Sequence, residues 1–119
     1  MAEQERTGKF EISVVGVAFE GRQGILAALY EDQESGPVLT GQVRREPDNR
    51  FDPNAIAVDV GGRQVGYVPK ALADKLSVHM DAGEEIRVTG VRIIRGEKKG
   101  SVTFGVRIDV ELQAEKEAV

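Results

Sequence analysis

Apolar and polar residues change period several times along this chain, and each change marks a boundary between elements. From Phe10 to Ala18 the run FEISVVGVA is rich in β-branched residues and shows no helical period, which predicts a strand. Over residues 21–32, GRQGILAALYED, the side chains Ile25, Leu26, Leu29 and Tyr30 fall on one face of a short helix of about two turns. Gly36 and Pro37 break that pattern ahead of a second strand, Val38 to Glu46, in which Gly41 suggests a bulge or sharp bend. The stretch EPDNRFDP, 46–53, crowds prolines, aspartates and an asparagine together and forces the chain to turn. NAIAVDV then runs into Gly61-Gly62, a tight hairpin turn leading to RQVGYV. Pro69 suits the start of a helix over 70–83, where Ala71, Leu72, Leu76 and Met80 lie near helical spacing and Gly83 ends it. Two alternating strands, 84–96 and 101–112, complete the pattern, with Gly90 and Gly105 as bend points.

Strand, helix, three strands, helix and two strands make a mainly β chain with two short helices, of the α+β class. Six short strands cannot leave many edges exposed without inviting association, and glycine bends allow them to curl. A small six-stranded OB-like β-barrel, closed or partly closed, follows. With 119 residues the chain has room for one domain, expected over 9–112, between an N-terminal tail, 1–8, and a frayed C-terminal tail, 113–119. No cysteine is present, which excludes thiol catalysis, CxxC redox chemistry and zinc-finger sites. No apolar run approaches the roughly 18 residues of a membrane span, and the polar start MAEQERTGK is unlike a signal peptide, so the expected location is cytoplasmic.

Charge changes this picture locally more than globally. The net charge of −4 argues against a generic basic coat for nucleic acid. Residues 87–107 nevertheless hold Arg87, Arg92, Arg95, Lys98, Lys99 and Arg107 against Glu97 alone. That segment reads either as a solvated hairpin face or as an electrostatic footprint for a polyanion. Enzyme chemistry finds little support. His79 is the only histidine, no serine sits in a nucleophile elbow, and no glycine-rich loop carries a phosphate-binding lysine, so neither catalytic residues nor a cofactor are expected. Asp48, Asp52 and Glu46 offer too few oxygens for a hard cation and are better explained by the turn, so no metal is expected either.

The informative stretch is 43–70, VRREPDNRFDPNAIAVDVGGRQVGYVPK. Its acidic-proline turn (Glu46, Pro47, Asp48, Asn49), the pair Phe51-Asp52, the Asn54-Ala55-Ile56 triplet, the hairpin, and Gly66-Tyr67-Val68 with Lys70 close behind resemble the HIRAN domain. VVGVAF, ending at Phe19, resembles that family's first strand, and the resemblance covers about residues 12–82. It implies an OB-like barrel that binds single-stranded DNA at a free 3′ end, in DNA repair or at stalled replication forks. Eukaryotic relatives carry the module on a fork-remodelling ATPase, whereas bacterial members are often small and separate. This sequence has no room for an ATPase, so a separate helicase-like ATPase or a nuclease is the implied partner. By the same resemblance Phe51 stacks on the terminal base, Asp52 accepts a hydrogen bond from the terminal hydroxyl, Phe19 forms a second aromatic wall, and Tyr67 and Lys70 face the backbone near that end. Asn49 belongs to the same motif. The sequence departs from the eukaryotic pattern in having Ala18 where a basic residue is common, and Phe51 where a tyrosine is.

The residue chemistry is compatible with those roles. Stacking on an aromatic ring contributes about 1 to 3 kcal/mol per base without sequence preference. Arg44, Arg45, Arg50 and Lys70 are candidates for phosphate contacts. A carboxylate beside phosphates is repelled unless it meets a donor, and a free hydroxyl is the donor that a strand's end supplies. Each residue also has a structural reading: Phe51 and Phe19 as core, Asp52 as the acceptor of an Asx turn to Asn54, Tyr67 with its ring packed inward, and Lys70 as decoration at a helix start. Two other functions remain open on these grounds. One is a protein-interaction or oligomerisation module using an exposed strand edge at 101–112, and the other is a general single-stranded nucleic-acid groove using 87–107.

Overall fold

Val60 pairs with Arg63 across Gly61-Gly62, whose φ angles of 60° and 81° lie in the left-handed region that glycine enters without a steric penalty. Around this predicted turn the computed structural model describes residues 7–113. The order is β1 (Thr7–Ser13), α1 (Arg22–Ser35), β2 (Gly41–Arg45), β3 (Ile56–Val60), β4 (Arg63–Tyr67), α2 (Lys70–Asp81), β5 (Glu85–Lys98) and β6 (Ser101–Gln113), the predicted succession of elements. Thr7, Gly8 and Gln113 are therefore strand residues rather than parts of the tails, and the rest of both expected tails lies outside the described residues.

The strands form two antiparallel three-stranded sheets, β1-β6-β5 and β2-β3-β4. β2 lies against β5 without a hydrogen-bonded ladder, so the barrel is open along that seam. The chain itself links the sheets after β1. Val14 donates to the Val106 carbonyl at 3.0 Å, and the next residue, Val15, exchanges two 2.9 Å backbone hydrogen bonds with Tyr67. The run expected as one strand from Phe10 to Ala18 is thus shared between the sheets. Such a crossing needs close approach, and Gly66 allows it: a Cβ there would overlap the Val15 carbonyl oxygen and lie 2.7 Å from Val14 Cγ1.

Ile12, Leu26, Val58, Val65, Ile93 and Ile108 anchor the core between the sheets. β3 is central in its sheet, and Ile56, Ala57 and Val58 are all fully buried, so its apolar run does not alternate. α1 is longer than the two turns expected. Leu26 and Leu29 are buried, Tyr30 packs on Phe104 with ring centroids 5.6 Å apart, and two glutamines cap strand backbone. Gln23 donates to the Phe104 carbonyl and accepts from its N–H, both at 2.9 Å, while Gln33 does the same for Ile93 at 2.9 and 2.7 Å.

Three local expectations change. β6 is the central strand of its sheet, paired with β5 along its length and with β1 from Arg107 to Gln113, and Gln23 covers Phe104, so 104–112 is not an open edge and the second side is uncovered just at 101–103. Gly41 opens β2 without a bulge. A Cβ there would come within 3.0 Å of Val91, so its role is the close seam with β5. The register shifts fall instead between Val58 and Asp59 and between Val88 and Gly90, while Gly105 pairs regularly with Ile94.

Candidate nucleic-acid interface

The 46–55 turn is rigid because its own side chains satisfy its backbone. Asn49 Oδ1 accepts the N–H groups of Phe51 at 2.9 Å and Asp52 at 3.0 Å, and Asp52 Oδ1 accepts the N–H of Asn54 at 2.9 Å. Backbone bonds from Asn49 to Glu46 and from Ala55 to Asp52, each 3.0 Å, tie the rest. This scaffold holds Phe51 out of the core: it is 94% exposed. Phe19, in the loop before α1, is 66% exposed. Neither ring is a core residue, and both line one open groove of about 860 Å³.

The same groove collects Asn49, Arg50, Asp52, Tyr67 and Lys70, from the turn, the end of β4 and the start of α2. Asp52 is half-buried. With Oδ1 given to Asn54, its Oδ2 has Lys70 Nζ as a neighbour at 3.8 Å, and that exposed ammonium is also 3.6 Å from Asp74. The Asx turn to Asn54 is therefore present and occupies only one carboxylate oxygen. Tyr67 donates its hydroxyl to Glu46 Oε1 at 2.9 Å, and Asn49 Nδ2 donates to the same oxygen at 3.0 Å.

Arg44 and Arg45 lie outside the groove and are committed elsewhere. Arg44 forms a bidentate pair with Asp59, at 2.9 and 3.0 Å, and reaches Glu46 at 3.1 Å. Arg45 grips Asp81 at 2.9 and 3.1 Å and donates to the carbonyls of Pro53 and Ala55. The hydrogen bond to Asp59 raises Arg44, and the hydrogen bond to Asp81 raises Arg45, above the usual guanidinium value. Their partners tie β2 to β3, to the turn and to the end of α2. The basic residues of 87–107 decorate the long β5-β6 hairpin, where Arg87, Arg92, Arg95 and Arg107 each have a glutamate 3.6 to 3.9 Å away. None of them lines the groove.

Glu46 is the electrostatic hub beneath the turn. Burial raises its carboxyl pKa, but the hydrogen bonds from Asn49 and Tyr67 and the Arg44 guanidinium outweigh it and hold the group below its ordinary 4.5. A depressed folded-state value means stability that is complete above the unfolded value and lost as pH falls through the folded one. Thermal melts should therefore show wild type losing stability below about pH 4.5, with Glu46→Gln less stable near neutrality and converging on wild type as the pH drops. A constant gap between the two at every pH would remove Glu46 from this role.

One groove residue gave no signal in the sequence. Arg22, the first residue of α1, is only 7% exposed, donates to the Gly16 carbonyl at 2.8 Å and stacks its guanidinium 5.5 Å from the Tyr67 ring centroid. It falls on the helical face of Leu26 and Leu29, but a charged residue opening a helix reads as solvated until the fold closes over it.

The family model described as the HIRAN domain matches residues 7–114, nearly the whole chain. The chain belongs to the HIRAN family. HIRAN domains are DNA-binding modules, and the candidate interface lies on the segment that carried the resemblance. Among solved structures, this HIRAN domain is similar to the crystal structure of the HIRAN domain of human HLTF, with a TM-score of 0.55 and 23% identity, covering 91% of this chain and 78% of that one. That likeness is one of fold, and it supports the OB-like reading of the two packed sheets. No curated protein matches the chain. No helix among the described residues is long and apolar enough to cross a membrane.

Proposed function

We propose that this HIRAN domain binds single-stranded DNA in the groove and reads a free 3′-hydroxyl end, as a non-catalytic module of DNA repair or stalled-fork processing that hands the end to a separate helicase-like ATPase or nuclease. The observation that supports this reading is Asp52, whose Oδ1 is taken by Asn54 while its Oδ2 has Lys70 Nζ 3.8 Å away, beside an almost fully exposed Phe51. An acidic acceptor is unfavourable next to internal phosphates and favourable next to a terminal hydroxyl.

The magnitudes are consistent with a useful affinity. Phe19 and Phe51 stacking on two bases supply roughly 2 to 6 kcal/mol, and micromolar binding needs about 8. A hydrogen bond to the charged Asp52 adds about 1.5 to 3 kcal/mol, with Arg50 and Lys70 contributing phosphate contacts. The test is fluorescence anisotropy with a labelled single-stranded decamer ending in a 3′ hydroxyl or a 3′ phosphate, at two salt concentrations. Tighter binding of the hydroxyl form is expected at both. Equal binding of the two forms that fades with salt would replace this reading with a general nucleic-acid groove, and no binding would reject it.

A further inference from the structure

Arg22 is the one buried charged residue among the described residues, and end recognition by Asp52 and Phe51 gives it no task. Its surroundings are unusual for a buried cation. Nη1 bonds the Gly16 carbonyl at 2.8 Å, but the nearest carboxylate, Glu20 Oε1, stands 3.5 Å from Nη2, at the outer limit of a hydrogen bond. The Glu20 side chain is 79% exposed, so it is tethered to solvent more than to the arginine. Buried guanidinium groups are normally held by close, bidentate anions. Even the less buried Arg44 and Arg45 each hold a carboxylate through two bonds of 2.9 to 3.1 Å. Arg22 alone is buried with its anion loosely placed, and it lines the groove.

The remaining charge of the groove makes this cation matter. Arg22, Arg50 and Lys70 are balanced there by Glu20, Asp48 and Asp52, and Lys70 is divided between two carboxylates. A polyanion entering a neutral groove gains further where a carboxylate gives way to it. Glu20 is the one built to do so, being exposed and weakly held, while Tyr67 beneath Arg22 and the Gly16 carbonyl keep the guanidinium in place when the carboxylate leaves. A pre-ordered planar fork is the group best suited to a phosphodiester.

We propose that Arg22 binds an internucleotide phosphate of the strand seated in the groove, and that Glu20 occupies the guanidinium in the free protein and is displaced by that phosphate. The proposal rests on the groove being the single-strand site. It adds a residue pair and an exchange to that reading.

The experiment is a double-mutant cycle with Glu20→Gln, Arg22→Gln and the double variant in the full chain, read by anisotropy with the 3′-hydroxyl decamer over a salt series. Glu20→Gln should bind about threefold to tenfold more tightly than wild type with an unchanged melting temperature. Arg22→Gln should bind about tenfold more weakly and lower the slope of log affinity against log salt by about 0.7, the signature of one lost phosphate contact. In the Arg22→Gln background the Glu20 substitution should give no gain, because the exchange has lost its cation. A gain that persists in the double variant would show a general charge effect and overturn the exchange. Should Arg22→Gln fail to fold by circular dichroism, Glu20→Gln still decides, since an affinity unchanged from wild type rejects the proposal. A wild-type protein that ignores the decamer sinks this proposal together with the groove reading, whereas hydroxyl-selective wild-type binding that Glu20→Gln leaves untouched sinks this one alone.

Discussion

Gly66→Ala is expected to destabilise the protein by about 3 kcal/mol, the upper part of the usual range for overpacking. The new Cβ would have to occupy the space of the Val15 carbonyl oxygen and approach Val14 Cγ1 to 2.7 Å. Neither neighbour can step aside. Val14 is a core side chain, and the Val15 carbonyl accepts the Tyr67 N–H in the bridge that joins the two sheets. Relief would require the chain after β1 to lift off β4, breaking both 2.9 Å hydrogen bonds and loosening the floor of the groove at Tyr67 and Gly16. Urea denaturation monitored by circular dichroism gives the change directly. Gly105→Ala is the control, because a Cβ there meets nothing within 4 Å, and it should shift stability by no more than about 0.5 kcal/mol. Comparable losses from the two substitutions would mean that strand glycine in general, and not the crossing at Gly66, sets the cost.

The same crossing explains what could be read from the chain beforehand. Elements stabilised by neighbours in sequence were legible: the Gly61-Gly62 hairpin, the helix after Pro69, the long β5-β6 pair and the Asx turn at Asp52 all follow from local conformational rules. Elements decided by distant partners were not. The first strand looked continuous because apolar residues serve either sheet equally, and only packing assigns Ile12 to one and Val15 to the other. α1 continues past Asp32 to Ser35, held in part by Gln33, whose partner Ile93 lies 60 residues away. Segment 101–112 looked like an edge because strand order cannot be read from alternation.

The candidate site divides along the same line. Phe51, Asp52 and Asn49 form one local motif, and the groove brings them together with Phe19, Arg50, Tyr67 and Lys70. Arg44 and Arg45 looked available because their carboxylate partners, Asp59 and Asp81, lie 15 and 36 residues further along. Arg22 became visible only when Gly16 and Tyr67 closed around it. A cation's availability is a property of the folded neighbourhood and not of its count in a segment, which is why the six basic residues of 87–107 add little to the groove.

Asp52→Asn is expected to remove most of the discrimination between a 3′ hydroxyl and a 3′ phosphate. In the wild type one hydrogen bond from the hydroxyl to the carboxylate, about 1.5 to 3 kcal/mol, together with repulsion of a terminal phosphate, should favour the hydroxyl decamer by about tenfold or more. The substitution is conservative where the loop needs it to be. An amide oxygen can still accept the Asn54 N–H as Asp52 Oδ1 does, so the turn and the exposed Phe51 keep their places. What changes is the atom on the ligand side, where an amide NH2 replaces the acceptor Oδ2 and Lys70 loses one of its two carboxylate neighbours. Both changes favour a terminal phosphate over a hydroxyl, so the preference should fall to within about threefold of unity or reverse, while affinity for a strand without a free 3′ end changes little. The melting temperature separates this from a damaged loop. Equal weakening on every ligand with a lower melting temperature would make Asp52 a structural residue of the turn, and an intact tenfold preference in a fully folded variant would move the reading of the strand's end to another group in the groove.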